Sequence, residues 1–214
     1  MGWRPSFLLP VLLVGLTACG TPASSSQASP ARSPTHSPHG ILFNMYRTPA
    51  LKDAHFTMTE QLPDGSGGIS QGTGDGVLVL QPAPAQSQSV QIGIGGGTTI
   101  TVQSIGIGNT IYHRRTTEPV WTASPGQSEL TNLDQAYELK LVGEEVTPQG
   151  RAWRVSGTTR SGSAFEIWIR QKDNYPLKYA SHRTDDPTAE TVTFDLYNTG
   201  QTISPPPPAQ VVQG

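Results

Sequence analysis

The chain has a single cysteine, Cys19, which excludes an intrachain disulfide, so an exported domain built from this sequence must be held by its own core. Charge is sparse too: charged residues make up 14%, the net value is −2, and no block of basic residues occurs. That excludes the electrostatic footprint of a nucleic-acid binder. Hydrophobic residues reach only 35%, low for a globular chain, so part of the sequence has nothing to pack. No apolar run is long enough to span a bilayer as a permanent helix; the longest, from Phe7 to Leu16, has the length of a leader's apolar region. No G-x-S-x-G motif is present for a nucleophile elbow. The glycine-rich stretch GIGGGTTI fails as a phosphate cradle, because reading G-x-G-x-x-G from Gly93 puts Thr98 where the third glycine belongs, and no Lys-Ser or Lys-Thr pair follows.

What is present begins with a leader. Residues 1–18 carry one arginine, the apolar run and then small residues, and Leu16-Thr17-Ala18-Cys19 resembles the bacterial lipobox. Cleavage before Cys19 would leave it as an acylated first residue, with palmitate-like chains anchoring the protein at the extracytoplasmic face of the cell membrane; each buried CH₂ contributes about 0.8 kcal/mol. Loss of Arg4 with the leader leaves a net charge of about −3. Residues 19–39 are rich in Ser, Pro, Ala and Thr and read as a tether. His36 and His39 lack preorganised partner ligands there, so no metal site is expected.

Residues 40–204 carry the periodic patterns. Ile41, Leu42, Met45 and Tyr46 fall at helical spacing ahead of Pro49, which should end the helix. Leu130, Leu133, Tyr137 and Leu141 share a second helical face, with Thr131 and Asp134 as a capping box. Elsewhere apolar and polar residues alternate as in strands. AHFTMTEQL places Phe56 and Met58 on one face, GDGVLVLQP gives a second strand, and the glycine-rich region carries Ile92, Ile94, Ile105 and Ile107, with Gly108-Asn109 as a tight hairpin turn. Trp121 reads as an exposed edge residue. A C-terminal meander puts Trp153, Val155, Phe165, Ile167, Ile169, Leu177, Tyr179, Val192, Phe194 and Leu196 on one face, and Arg154, Glu166, Arg170, Lys178, His182, Thr193 and Asp195 on the other. The predicted fold is α+β: a curved antiparallel sheet of about nine to eleven strands, a half-barrel, covering one or two short helices. The Pro-rich tail, 205–214, is expected to trail off unpaired.

The order of these elements, with SIGIGNTIYHRR followed by Trp121, then RAWRVSG, FEIWIRQKDNYPLKY and TVTFDLYNTGQTISPP, resembles the LolA-like fold and, more closely, the LppX/LprG type of lipid-binding cell-envelope lipoproteins. Trp168, Asp173 and Pro176 match a strand and acid-bearing turn before a proline, and Gly200 to Pro205 match the ending. The resemblance implies a lipid or acyl-chain ligand in an apolar cavity, transport or sensing of envelope lipids or lipoproteins, an envelope transport partner, no cofactor and no catalytic residue; only Cys19 carries over, as the lipidated position. The expected lining is Phe56, Met58, Ile92, Ile94, Ile105 and Ile107 with the ten apolar meander residues. Two departures are Pro49 in the first helix and the richness of the second strand group in glycine. An alternative is that the same residues fill a packed core and the protein acts at the surface through a protein partner. His55, His113 and His182 fall on strands, and Glu144-Glu145 and Asp185-Asp186 are adjacent pairs that point to opposite faces, so none forms an acid–base constellation and no enzyme activity is expected.

Overall fold

Ser37 and Pro38, which composition alone assigns to the tether, start a helix instead. The Ser37 hydroxyl accepts the Gly40 N–H at 3.0 Å, and Pro38 occupies the first helical position, where no N–H is needed. Helix α1 runs Pro38–Arg47 and buries Ile41, Leu42 and Met45. It stops where Thr48, held extended ahead of Pro49, leaves the helical region. The computed structural model describes residues 36–64, 67–94, 97–185 and 187–214; the leader, Cys19, the tether to residue 35 and Asp186 lie outside the described residues.

Eleven strands follow as long elements of one sheet, and a short twelfth completes it: β1 Asp53–Pro63, β2 Ile69–Val79, β3 Ala85–Gly93, β4 Thr99–Ile107, β5 Thr110–Arg115, β6 Trp121–Pro125, β7 Tyr137–Thr147, β8 Gly150–Thr158, β9 Ala164–Arg170, β10 Pro176–His182, β11 Ala189–Tyr197 and β12 Val211–Gln213. The order across the sheet is β12-β6-β5-β4-β3-β2-β1-β11-β10-β9-β8-β7. All neighbours are antiparallel except β12, which adds to β6 in parallel. The tail therefore does pair: its prolines cannot donate, but Val211 to Gln213 can.

The predicted second helix is absent. Two 3₁₀ turns, Glu129–Thr131 and Leu133–Gln135, stand in its place, and Tyr137 already belongs to β7. These turns lie in the link from β6 to β7, the latter being the far edge strand, ten strand spacings away, or about 48 Å along the sheet. Eleven residues, six of them in compact 3₁₀ turns, reach only about 30–35 Å. The sheet must therefore curl, and the link crosses its concave side. Tyr46 of α1 fixes the crossing: its hydroxyl donates to the Leu130 carbonyl at 2.8 Å and accepts the Leu133 N–H at 3.0 Å. Leu130 and Leu133 are buried beside Ile41, Leu42 and Met45 in the main core.

Three further expectations are corrected. Trp121 is buried, under the Arg114 guanidinium at 4.5 Å, and is not an exposed edge residue. Leu177 and Leu196 leave the apolar face because each sits at a register shift, which breaks the two-residue alternation. Leu177 packs with Ala152 and Trp168 on the convex side, and Leu196, at φ 44°, is 63% exposed. Ile105 and Ile107 also face the convex side, since β3 pairs Val90 with Val102 and Ile92 with Ile100, which gives the core face of β4 to even-numbered positions.

On β2, Gly74 faces the main chain of β3. A Cβ on Gly74 would lie 2.2 Å from the Ser89 carbonyl oxygen and 2.9 Å from Val90 Cα, and backbone cannot swing aside as a side chain can. Gly74→Ala should therefore destabilise the fold by about 2–3 kcal/mol in urea unfolding. Gly93→Ala, whose Cβ would meet nothing within 4 Å, should change stability by less than about 0.5 kcal/mol.

Candidate functional site on the concave face

Along β1 the residues facing the concave side are Ala54, Phe56, Met58, Glu60 and Leu62, as the alternation of burial shows. Their partners on β11 are Phe194, Val192 and Glu190; beyond these lie Tyr179 and Ser181 on β10 and Ile167 and Phe165 on β9. The face thus changes character from end to end. Under α1 and the crossover it is dry: Phe56, Met58, Trp153, Val155, Phe165, Ile167, Ile169, Tyr179, Val192 and Phe194 are buried in one cluster with the helix. Phe56 meets Phe194 edge-on at 5.9 Å and Phe165 stacks with Tyr179 at 6.0 Å, geometries that add about 0.5–1.5 kcal/mol each beyond burial. These expected lining residues are filled in by packing.

The other end, beyond the reach of α1, is open. Leu62, Ile92, Ile94 and Ile100 line a trough of about 400 Å³ with Pro63, Asp64 and Ser70. Ile94 lies just past β3 and is substantially exposed there. Of the sixteen expected lining residues, Ile92 and Ile94 are the two that border this open trough.

Between dry core and trough sits a polar belt that alternation alone did not single out. Glu60 and Glu190 are directly opposite neighbours on β1 and β11. Glu190 also borders a cavity of about 250 Å³ whose other walls include Gln86, Gln88, Ser104, Ser128 and Glu129. Gln86 is buried, donates to Gln88 at 2.6 Å and accepts from the Ser128 hydroxyl. Glu129, on the crossover, accepts from Tyr179 at 2.8 Å and Thr159 at 3.2 Å, and from Ser161. The signal available in the sequence was a charged residue in an otherwise apolar stripe: Glu60 after Phe56 and Met58, and Glu190 before Val192 and Phe194.

Burial, then the charges of Glu129 and Glu60, push the Glu190 carboxyl up to about 7, and burial also raises Glu60. Burial followed by the Glu129 charge raises the Tyr179 phenol well above its ordinary range, so it stays a hydrogen-bond donor to that carboxylate.

The convex face is differently built. His55 Nδ1 lies 2.6 Å from Asp195, Arg154 grips both oxygens of Glu166 at 2.8 and 2.7 Å, and the Arg154 and Lys178 cations stand over the Trp168 ring. Trp168 donates to Glu145 at 2.8 Å, whereas Glu144 lies 3.9 Å from Arg151. Asp173 forms two 2.8 Å bonds with Arg170. His36 packs against Trp153, ring centres 4.7 Å apart. Among the described residues no group of three or more His, Cys, Asp or Glu side chains is placed to hold a metal ion, and no helix is long and apolar enough to cross a membrane.

No protein family model matches the chain, and no curated protein matches it. Solved structures do align with much of the chain. An uncharacterized conserved protein from Thermus thermophilus aligns over 81% of this chain and 97% of its own at 18% identity and a TM-score of 0.46. A LolA superfamily protein from Nitrosomonas europaea aligns over 75% and 92% at 10% identity and 0.33. MucB from the Pseudomonas aeruginosa MucA/MucB complex aligns over 78% of this chain and 58% of its own at 15% and 0.37. Likeness at this level assigns neither family nor function, so the functional reading rests on the geometry of this chain.

The Glu190 carboxyl yields a pH signature. Its folded pKa is raised above the ordinary 4.5 to about 7, so between these values the folded state binds more protons than the unfolded one. Stability should therefore fall as pH rises from about 4.5 through about 7, by at most about 3 kcal/mol. Glu190→Gln should flatten that slope in thermal unfolding from pH 5 to pH 8 and be the more stable protein at pH 8; an unchanged slope would assign the titration elsewhere.

Proposed function

We propose that this protein is an extracytoplasmic lipoprotein, of the LppX/LprG type, that binds the acyl chain of an envelope lipid or lipoprotein at the open end of its curved sheet, for transport or sensing. On this reading residues 1–18 are a cleaved leader, Cys19 is acylated, and the chain to residue 36 tethers the sheet to the cell membrane. It is a binder and not a catalyst.

The observation that carries the reading is the uncovered trough of about 400 Å³ formed by Leu62, Ile92, Ile94 and Ile100. Residues of this type at the rim of an otherwise covered core cost solvation unless something apolar lies on them. Each CH₂ laid there would contribute about 0.8 kcal/mol, enough for several methylenes to hold a chain. The dry core behind it sets the depth of entry: the trough admits part of a chain, because α1 and the crossover pack onto Phe56, Met58 and their neighbours behind it.

A second reading has its own observation. Tyr137, Leu141, Val142 and Val146 of edge strand β7 are exposed, Val146 at 78%, and an exposed edge is where an extended protein segment would add. Bulges and charges weigh against it: the register of β7 shifts twice, and Glu138, Lys140, Glu144 and Glu145 interrupt the apolar residues, which is how sheets blunt their edges.

The test is lipid content. The chain with Cys19→Ala, expressed in a bacterial host and extracted for mass spectrometry, should carry bound lipid and take up an apolar fluorescent dye. Ile92→Glu with Ile100→Glu should lower dye affinity at least about tenfold. Clean protein without lipid and without dye uptake would sink the lipid reading.

A further inference from the structure

From Gly76 to His113 the chain carries no Asp, Glu, Lys or Arg, so β3 and β4 hold no charged residue and the charges at either side of them are isolated. On the convex face one row crosses four strands in register. Asp75 of β2 is opposite Ser89 of β3, Ser89 is opposite Gln103 of β4, and Gln103 is opposite Arg114 of β5. Three strand spacings separate the carboxylate from the guanidinium, about 14 Å along the sheet. All four residues line one groove of about 320 Å³, to which Val77, Ser87 and Ile105 add a floor and Trp121 an end wall.

Arg114 is held in one geometry by two contacts. Its Nε donates to the Gln103 side-chain oxygen at 2.9 Å, and its guanidinium carbon lies 4.5 Å from the centre of the Trp121 ring. Both contacts leave the terminal Nη1 and Nη2 groups unengaged, the pair that grips a carboxylate with two parallel hydrogen bonds. The ion pairs among the described residues join His55 to Asp195, Arg151 to Glu144, Arg154 to Glu166, Arg170 to Asp173 and Arg183 to Asp185, and neither Arg114 nor Asp75 takes part in any of them. At about 14 Å the two do not neutralise each other either, since that exceeds the screening length of roughly 8–10 Å in physiological salt. A cation already fixed on an aromatic ring and a carboxylate thus open on one groove, with the hydroxyls of Ser87 and Ser89 and the Gln103 amide between them.

We infer that this convex groove binds a short extended peptide with both ends free, its C-terminal carboxylate forked by Arg114 and its N-terminal ammonium beside Asp75. Four extended residues span about 13–14 Å, the separation of the two charges. Ser87, Ser89 and Gln103 offer donors and acceptors to the peptide groups between the ends, and Val77 and Ile105 leave room for small apolar side chains. A dipeptide is too short to meet both charges, and a ligand with an anion at each end would set one of them against Asp75. The groove is on the face opposite the trough, so this assignment stands or falls apart from the acyl-chain reading.

Isothermal titration calorimetry of the Cys19→Ala chain at pH 7 and low salt, with tetra-alanine, its C-terminal amide, its N-acetyl form and di-alanine, tests this on the unaltered groove. Tetra-alanine should bind tightest, with amidation costing about tenfold, acetylation about threefold and shortening to di-alanine at least about tenfold. Asp75→Asn, a change at an exposed side chain, should bind the free and acetylated peptides equally while still preferring the acid to the amide. Arg114→Lys keeps the charge but loses the fork, and should weaken tetra-alanine about tenfold. No binding of tetra-alanine, equal binding of tetra-alanine and its amide, di-alanine binding as tightly as tetra-alanine, or a preference for the free amine that survives Asp75→Asn would each overturn the assignment.

Discussion

An eleven-residue link cannot join strands ten spacings apart across a flat sheet, and that constraint organises the molecule. Because the link between β6 and β7 is short, the sheet curls about it and the two share one concave space. Tyr46 then holds helix and link together through the Leu130 carbonyl and the Leu133 N–H, and burial pushes its phenol up, so it remains a donor. Where helix and link lie, the concave face is a dry core. Where they do not reach, Ile94 is exposed and Leu62 and Ile100 are half-buried, bordering a trough whose floor includes Ile92. Cover and opening thus follow from one length.

A second link spans the opposite way. From β11 to β12 the chain must pass seven strand positions, about 34 Å, using residues 198–210, whose proline run extends about 3.1 Å per residue. Asp53 anchors its start: one carboxylate oxygen accepts from the Thr199 N–H and hydroxyl at 2.9 and 3.0 Å, and the other from the Gly200 N–H at 3.1 Å. The end is anchored by β12 on β6. A stretch that looks like a loose tail is therefore held at both ends, and stiffness is what proline supplies between them.

Much of the fold was legible because β-strands announce themselves by alternation and turns by their residues. Gly108 and Asn109 do form a two-residue hairpin turn between β4 and β5, with Gly108 at φ 58°. The failures have physical causes. Leu130 and Leu133 are three apart, a spacing that a 3₁₀ turn satisfies as well as an α-helix, and the non-helical Asn132 and extended Ala136 interrupt any longer helix. Leu177 and Leu196 were misplaced by bulges, which change the parity of every position counted across them. Strand β4 has isoleucines on both parities, so only its pairing with β3 decides that Ile100 and not Ile105 faces inward.

The site was legible only in part. Apolar residues mark a concave face but cannot say where a helix will cover it, so buried Phe56 and exposed Ile94 looked alike. Glu60 and Glu190 were readable as charges within apolar stripes; that they oppose each other is a matter of register between strands more than a hundred residues apart in sequence. A stearate spin-labelled near its terminal methyl, added to methyl-labelled protein for NMR, tests the central claim most directly. Relaxation broadening should be concentrated on the methyl groups of Leu62, Ile92, Ile94 and Ile100. Broadening centred on Val142 and Val146 of β7, or none at any methyl, would contradict an acyl chain seated at the open end of the sheet.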